Sequence, residues 1–178
     1  LPTEVGGAGM GLFPYCLMLE EFSRSHRIFG LVASGGGGLT PIAIARHGSR
    51  EQREKYLSGL IQGTLRTAFA LTEPGAGSDA TGMRTTFREN GDHIVVNGSK
   101  TFITNGDVAD LFLLFGKWDG IADAKQSISV LILEKGTPGL SVVRLEDKMG
   151  TRASSTATLA FDNCRVPRAN LLGNPGDG

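Results

Sequence analysis

The apolar residues of this chain change their spacing near Thr64, and this change constrains the fold more than any other feature. Before it, they recur three and four positions apart, which predicts helices over 11–33 and 50–62. After it, apolar and polar residues alternate, as they do in half-buried strands. We therefore predict a helical segment over residues 1–63 and a β-domain over residues 64–178.

The β-domain is predicted to contain short strands separated by turns. The predicted strands are 66–71, 85–88, 93–96, 100–104, 111–115, 128–134, 140–145 and 156–161. Turn sequences such as ENGD and KGTPG place Gly or Pro where a tight connection needs them. Because no helical stretch separates the strands, an all-parallel α/β fold is disfavoured. The predicted fold class is α+β, with a helical N-terminal segment followed by an antiparallel β-sandwich or barrel.

Three local signals refine these elements. Ser49 is the predicted N-cap of the helix over 50–62, and Gly63 is predicted to end it. The four glycines at 35–38 predict a helix break or a close approach, since each costs about 1 kcal/mol inside a helix. Asn-Gly-Ser at 97–99 matches a glycosylation sequon, but without a secretory signal we favour a hairpin turn.

Composition narrows the function classes. With 18 basic and 18 acidic residues the net charge is zero, which does not indicate a nucleic-acid partner. Cys16 and Cys164 lie far apart and outside any Cys/His cluster, so we predict no metal site and a reducing compartment. We also expect no membrane span. The start at Leu1 and the turn-rich end NLLGNPGDG lead us to expect a piece of a longer protein.

A glycine-rich loop follows the first predicted strand, in FALTEPGAGSDATG at 69–82. Gly75 and Gly77 allow the backbone to approach a phosphate or a flat ring, and Ser78 adds a hydroxyl donor. The loop lacks the lysine of a GxxxxGK motif and opens no helix in a βαβ unit. On pattern alone, a tight connection between strands is the favoured interpretation.

Four stretches together resemble the acyl-CoA dehydrogenase flavoproteins. They are HGSREQREKYLSGLIQGTLRTAFALTEP, LTEPGAGSDATG, GDHIVVNGSKTFITNGDVADLFLLFGK and EKGTPGLSVVRLEDKMGTRASSTATLAFDNCRVPRANLLG. The resemblance covers nearly the whole chain, in order. It implies an N-terminal helical domain, a central β-domain and a C-terminal helical bundle, with FAD between the last two. This chain would supply the back of the first domain and all of the second.

The resemblance places a first flavin-binding stretch at 69–78, and the implied FAD-binding residues in it are Phe69, Leu71, Thr72, Gly77 and Ser78. Leu71 and Thr72 would contact the pyrimidine end of the flavin ring. Gly77 and Ser78 would lie near the pyrophosphate. Ser78 also matches a position that contacts the CoA part of the substrate.

A second flavin-binding stretch is implied at Phe102, Ile103 and Thr104. Phe102 would lie against the flavin, where many family members have Trp, so the ring is kept and an N–H donor is lost. Thr104 would offer its hydroxyl to flavin N5, which accepts hydride. Both stretches therefore position a cofactor that itself carries the redox chemistry.

The implied reaction is the α,β-dehydrogenation of an acyl-CoA thioester to the trans-2-enoyl-CoA, with electrons passed to an electron-transfer flavoprotein. The family's catalytic glutamate lies in the C-terminal bundle, so no catalytic residue is assigned to this chain; Glu73, in the glycine loop, is not expected to act as the base. Alternatives are an acyl-CoA oxidase or a non-catalytic fragment that binds flavin or acyl-CoA. The resemblance also implies a homodimer or homotetramer, in fatty acid metabolism and β-oxidation, in bacterial cytoplasm or the mitochondrial matrix.

Small residues at Gly30, Ala33, Ser34 and Gly37 share one face on helical spacing. In the family this helix borders the far end of the acyl pocket. The small side chains therefore predict a long or bulky acyl group, and close helix packing is the alternative interpretation.

Overall fold

The computed structural model describes residues 1–34 and 38–178 in full. The helices are α1 Leu12–Ser25, α2 Arg27–Gly37, α3 Leu39–His47 and α4 Arg50–Ile61. The strands are β1 Thr67–Ala70, β2 Thr86–Asn90, β3 His93–Thr104, β4 Leu111–Trp118, β5 Ile128–Glu134, β6 Leu140–Leu145, β7 Thr156–Pro167 and β8 Leu171–Leu172. The predicted α+β class, helices first and a mostly antiparallel sheet after them, is confirmed.

The helix predicted over 11–33 is two helices. His26 has an extended backbone, with φ −162° and ψ 129°, and its Nδ1 accepts a hydrogen bond from Ile28 N at 3.3 Å, which caps α2. Helix α3 was not predicted; its first turn contains Pro41, a residue that the first turn of a helix tolerates. The helix break predicted at 35–38 falls largely on 35–37, which lie outside the described residues; Gly38 precedes α3.

Helix α4 begins where the sequence predicts, and it is tied to the β-domain. Ser49 Oγ accepts a hydrogen bond from Gln52 N, and Gln52 Oε1 accepts one from Ser49 N, which forms a capping box. The amide of Gln52 then donates to the carbonyl oxygens of Ala169 and Leu171, at 2.7 and 2.8 Å. One buried glutamine therefore caps the helix and joins it to the far end of the chain.

The sheet has the strand order β6-β7-β3-β2-β4-β5-β8, and β1 also pairs with β4. The pairs β1–β4 and β2–β4 are parallel, whereas the other pairs are antiparallel, so the antiparallel prediction is refined at these two places. Because β5 occupies one edge of β4, β1 and β2 must share the other edge, one after the other. The glycine-rich loop between β1 and β2 therefore leaves and rejoins the sheet at one edge of β4.

Two apolar cores lie on either side of this sheet. The first, inside the β-domain, contains Phe87, Ile94, Phe112, Leu131 and Leu159 among its buried residues. The second joins the helices to β4 and β5, through Ile44, Tyr56, Leu57 and Leu60 on the helices and Leu111, Leu113 and Ile132 on the sheet. Strand β4 alternates between the two cores, which explains its nearly continuous apolar sequence.

The segment Arg27–His47 is long and apolar enough to cross a membrane by length and composition, with 21 residues and a mean hydropathy of 1.6. It consists of two helices, α2 and α3, rather than one. Ile44 in α3 is fully buried in the second core, as expected of a helix that packs on a sheet. The segment is thus no clear membrane span.

The strands predicted at 93–96 and 100–104 are one continuous strand, β3, and the hairpin turn predicted at 97–99 is wrong. The register of β3 against β7 shifts between Val96 and Gly98, which marks a β-bulge. Gly98 has φ +147°, a region that only glycine occupies readily, and a Cβ there would lie 2.5 Å from Thr85 Oγ1. A glycine in an alternating sequence here signals a bulge rather than a turn.

Replacing Gly98 with Ala is expected to lower the free energy of unfolding by more than about 2 kcal/mol, because both the backbone and the space beside Thr85 exclude a methyl group. The matched control is Gly91→Ala, at φ +63° with no atom within 4 Å of the added Cβ, where a loss of about 1 kcal/mol is expected. Denaturant unfolding measures both. Equal losses in the two variants would contradict the close packing at Gly98.

Candidate functional site

The glycine-rich loop begins with a tight turn. Glu73 and Ala76 exchange two backbone hydrogen bonds, each of 3.1 Å, and the turn between them contains Pro74 and Gly75. A Cβ added at Gly75 or Gly77 would meet no atom within 4 Å. These glycines therefore do not serve close packing within the chain, and they leave the backbone of the loop open to a ligand.

A buried ion pair joins this loop to β3. The Lys100 ammonium donates to Glu73 Oε1 at 2.8 Å and to the Leu71 carbonyl oxygen at 2.9 Å. The side chain of Lys100 is 0% exposed and that of Glu73 is 6% exposed. Glu73 also accepts from the backbone N–H groups of Arg84, at 2.6 Å, and Thr85, at 2.9 Å. The Glu73 carboxylate thus joins the start of the glycine-rich loop to its end at Arg84 and Thr85.

Electrostatics favour the ionised form of the Glu73 carboxylate. Burial raises the pKa of Glu73, but hydrogen bonds from Lys100, Thr85 and the Arg84 backbone outweigh burial and hold the pKa below its ordinary value of 4.5. Burial also lowers the pKa of Lys100, and the Glu73 carboxylate offsets part of that effect. The stability that Glu73 contributes is therefore complete above pH 4.5 and is lost as the pH falls through the lower folded pKa.

A second bulge in β3 follows Lys100 directly. The register against β7 shifts between Lys100 and Ile103, and the Thr101 N–H donates to the Thr72 carbonyl oxygen at 2.8 Å. Phe102 then has φ 57°, in the left-handed region that is strained for a non-glycine residue, and its side chain is 64% exposed. The bulge therefore turns an aromatic ring outward beside the glycine-rich loop.

The site residues predicted from the sequence do not all have the same surroundings. The Leu71 and Thr72 backbones meet Lys100 and Thr101 through the hydrogen bonds above, which brings the two predicted stretches together. Ile103 is 2% exposed and belongs to the first core, and its carbonyl oxygen accepts a hydrogen bond from the Gly106 N–H at 3.1 Å. No hydrogen bond within the described part of the chain joins Gly77 or Ser78 to the second stretch.

Three hydroxyl groups at the site have no hydrogen-bond partner among the described residues. They belong to Thr72, which is half-buried, and to Ser78 and Thr104, which are exposed. An exposed aromatic ring beside free hydroxyls and open glycine backbone suits a flat, polar-edged ligand with a phosphate group. Nor do the described residues contain a group of three His, Cys, Asp or Glu side chains placed to hold a metal ion.

A cavity of about 190 Å³ lies next to this site, between α2, α3 and the ends of β1 and β3. Its lining includes Phe69, Thr104, Leu31, Val32 and Leu39. The ring of Phe69 is part-exposed and lies 4.8 Å from the ring of Phe115, measured between centroids. The cavity therefore connects a predicted flavin-binding residue from each stretch with apolar side chains of the helices.

The small residues of α2 only partly face this cavity. Ser34 lines it, but a Cβ at Gly30 would lie 1.9 Å from Ser23 Oγ on α1. Close packing of α1 and α2, the alternative interpretation, thus explains Gly30. Gly37 lies outside the described residues.

Comparison with known proteins decides which family this architecture represents. The model of the acyl-CoA dehydrogenase N-terminal domain matches residues 1–64, and that of the acyl-CoA dehydrogenase middle domain matches residues 68–164. The chain belongs to the acyl-CoA dehydrogenase family. The family is FAD-dependent, as the resemblance implied.

Individual acyl-CoA dehydrogenases match over almost the whole chain. The mitochondrial isovaleryl-CoA dehydrogenase of Pongo abelii is 40% identical and is matched over 99% of this chain and 42% of its own length. Butyryl-CoA dehydrogenase from Megasphaera elsdenii has a TM-score of 0.93 at 38% identity, over 99% of this chain and 47% of that one. An acyl-CoA dehydrogenase complexed with FAD from Bacillus anthracis has a TM-score of 0.89 at 41% identity, over 100% of this chain and 30% of that one. The chain thus spans less than half of each relative.

Lys100 and Glu73 join the halves of the site, although neither was predicted to have a role in it. The local sequence of β3 does not mark Lys100 as buried, because a lysine in such a strand can equally face solvent. Once buried, as it is here, a lysine requires an acidic partner. Glu73 is the buried carboxylate near it.

Phe102→Gly is expected to be more stable than Phe102→Ala by about 1 kcal/mol, because glycine adopts φ 57° without strain and the exposed ring contributes little packing. The matched control is the same pair of substitutions at Arg88, an exposed position of β2, where Ala should be the more stable by about 0.5–1 kcal/mol. Unfolding measurements on the four variants test the bulge. The same order at both positions would contradict it.

Proposed function

We propose that this chain is the flavin-binding part of an acyl-CoA dehydrogenase that converts an acyl-CoA thioester to its trans-2-enoyl-CoA. The observation that carries the proposal is the connection between the two flavin-binding stretches of the family. Leu71 and Thr72 are hydrogen-bonded to Lys100 and Thr101, immediately before Phe102. A ring placed against Phe102 would therefore have both stretches beside it.

The residues present fit an FAD molecule. Phe102 offers an exposed ring for stacking, and Thr72, Ser78 and Thr104 offer hydroxyl groups without partners among the described residues. The open backbone at Gly77 suits the pyrophosphate. We propose that Phe69, Leu71, Thr72, Gly77, Ser78, Phe102, Ile103 and Thr104 contact FAD, and that Ser78 also contacts CoA.

FAD supplies the hydride acceptor in this reaction. The chain's own residues would position the flavin and shield it from water. Thr104 would donate a hydrogen bond to flavin N5, and Phe102 would cover the flavin ring. The acyl group would enter the cavity beside Phe69 and Thr104. We assign the general base to the remainder of the longer protein, because Glu73 is buried and already accepts three hydrogen bonds.

The whole protein is proposed to pass its electrons to an electron-transfer flavoprotein and to form a homodimer or homotetramer. We propose a bacterial cytoplasmic or mitochondrial matrix location, since a mitochondrial relative is among the matches. The acyl chain length stays a prediction: Ser34 and the cavity favour room for a long or bulky group. A series of straight and branched acyl-CoA thioesters, assayed with the full-length protein, tests it.

The test of the function uses the full-length protein reconstituted with FAD. Anaerobic addition of acyl-CoA should bleach the oxidised flavin absorbance, and Thr104→Val should slow the bleaching about tenfold, which corresponds to one lost hydrogen bond. Thr104→Ser, which keeps the hydroxyl, is the matched control and should bleach at close to the wild-type rate. Reoxidation by an electron-transfer flavoprotein rather than by oxygen separates a dehydrogenase from an oxidase.

Flavin binding without bleaching by any acyl-CoA would contradict the proposed dehydrogenase and favour a binding module. Equal rates in the Val and Ser variants would contradict the role of Thr104.

A further inference from the structure

We propose that the buried pair Glu73–Lys100 is a positioning element that sets the relative placement of the two flavin-binding stretches, and thereby the affinity and reactivity of bound FAD. The inference rests on the proposed function. Neither residue touches the cofactor in this account. Each acts through the backbone and side chains that it holds.

The pair is placed where such a role requires it. Lys100 Nζ bonds the Leu71 carbonyl, so the lysine fixes the residue next to Thr72 in the first stretch. In its own strand, Lys100 lies two residues before Phe102, at the start of the second bulge. The Lys100 side chain is therefore hydrogen-bonded to the first stretch, and its backbone leads directly into the second.

The carboxylate completes the arrangement on the other side. Glu73 Oε1 accepts from Lys100 and from Thr85 N, and Oε2 accepts from Arg84 N. These backbone groups lie just before β2, so the carboxylate closes the loop that contains Gly77 and Ser78. Loss of the carboxylate would free both ends of that loop at once.

A purely space-filling role would not need these charges. Removing two charges from water is costly, and apolar residues of similar volume often stabilise a core at least as well. Ion pairs and their hydrogen bonds, by contrast, are directional and permit one arrangement of the groups they join. The strained backbone of Phe102 is the sign that the surroundings over-determine the geometry here.

The experiment compares Lys100→Met and Glu73→Gln in the full-length holoprotein, with Lys55→Met as the matched control. Lys55 also forms an ion pair between distant elements, with Glu134 at 2.6 Å, but this pair is exposed and makes no side-chain hydrogen bond to either stretch among the described residues. We expect both site variants to raise the FAD dissociation constant at least about tenfold and to slow bleaching by acyl-CoA, with little change in Lys55→Met. The double variant Glu73→Gln/Lys100→Met should be no worse than the poorer single variant, because both changes break one element.

The inference would be overturned if the folded single variants bound FAD with wild-type affinity and were bleached at the wild-type rate. A fall in melting temperature alone would not support it, because a merely structural role predicts that fall as well. The proposed function itself is tested by FAD binding and bleaching in the wild-type protein, so the two can fail separately.

A measurement on the unaltered protein covers variants that do not fold. Because coupling is reciprocal, FAD binding to the wild-type apoprotein should slow amide hydrogen exchange at Arg84, Thr85 and Thr101, whose N–H groups bond Glu73 and the Thr72 carbonyl. The amide of Tyr56, within helix α4, is the internal reference. Equal exchange at the three amides with and without FAD would also overturn the inference.

Discussion

The hydrogen-bonded pair of Lys100 and Glu73 is the interaction on which the arrangement of the site depends. Both side chains are removed from water, and removing one partner of such a pair typically costs about 3–5 kcal/mol. Besides the bond between them, Lys100 donates to a backbone carbonyl oxygen and Glu73 accepts from two backbone N–H groups. A glycine-rich loop that could take many conformations is thereby held against one position of β3.

The topology of the sheet makes this contact possible. Parallel pairing of β1 and β2 with the same edge of β4 returns the loop to the sheet at a point close to where it leaves. The first bulge of β3, at Gly98, lets that strand pass close to Thr85, and the second turns Phe102 outward. The site therefore lies where regular pairing is interrupted, and the two cores behind it keep the interruption rigid.

The sequence was sufficient for the helix-then-sheet order and the start of α4 at Ser49, while the two flavin-binding stretches stay a prediction from the family resemblance. It was insufficient where tertiary contacts decide the outcome. Gly98 and Gly30 have local sequences that suit a turn and an open pocket, yet Thr85 and Ser23 explain them. Lys100 lies in an alternating strand as any surface lysine could, and its burial depends on a carboxylate 27 positions earlier. Such long-range pairs leave little trace in local periodicity.

The most direct measurement of the central claim is a crystal structure of the full-length protein with FAD bound. The account predicts the flavin ring against Phe102, with N5 within about 3.5 Å of Thr104 Oγ1 and with the Lys100–Glu73 contact intact beneath both stretches. A flavin ring bound elsewhere, with Phe102 and Thr104 still facing solvent, would contradict the account.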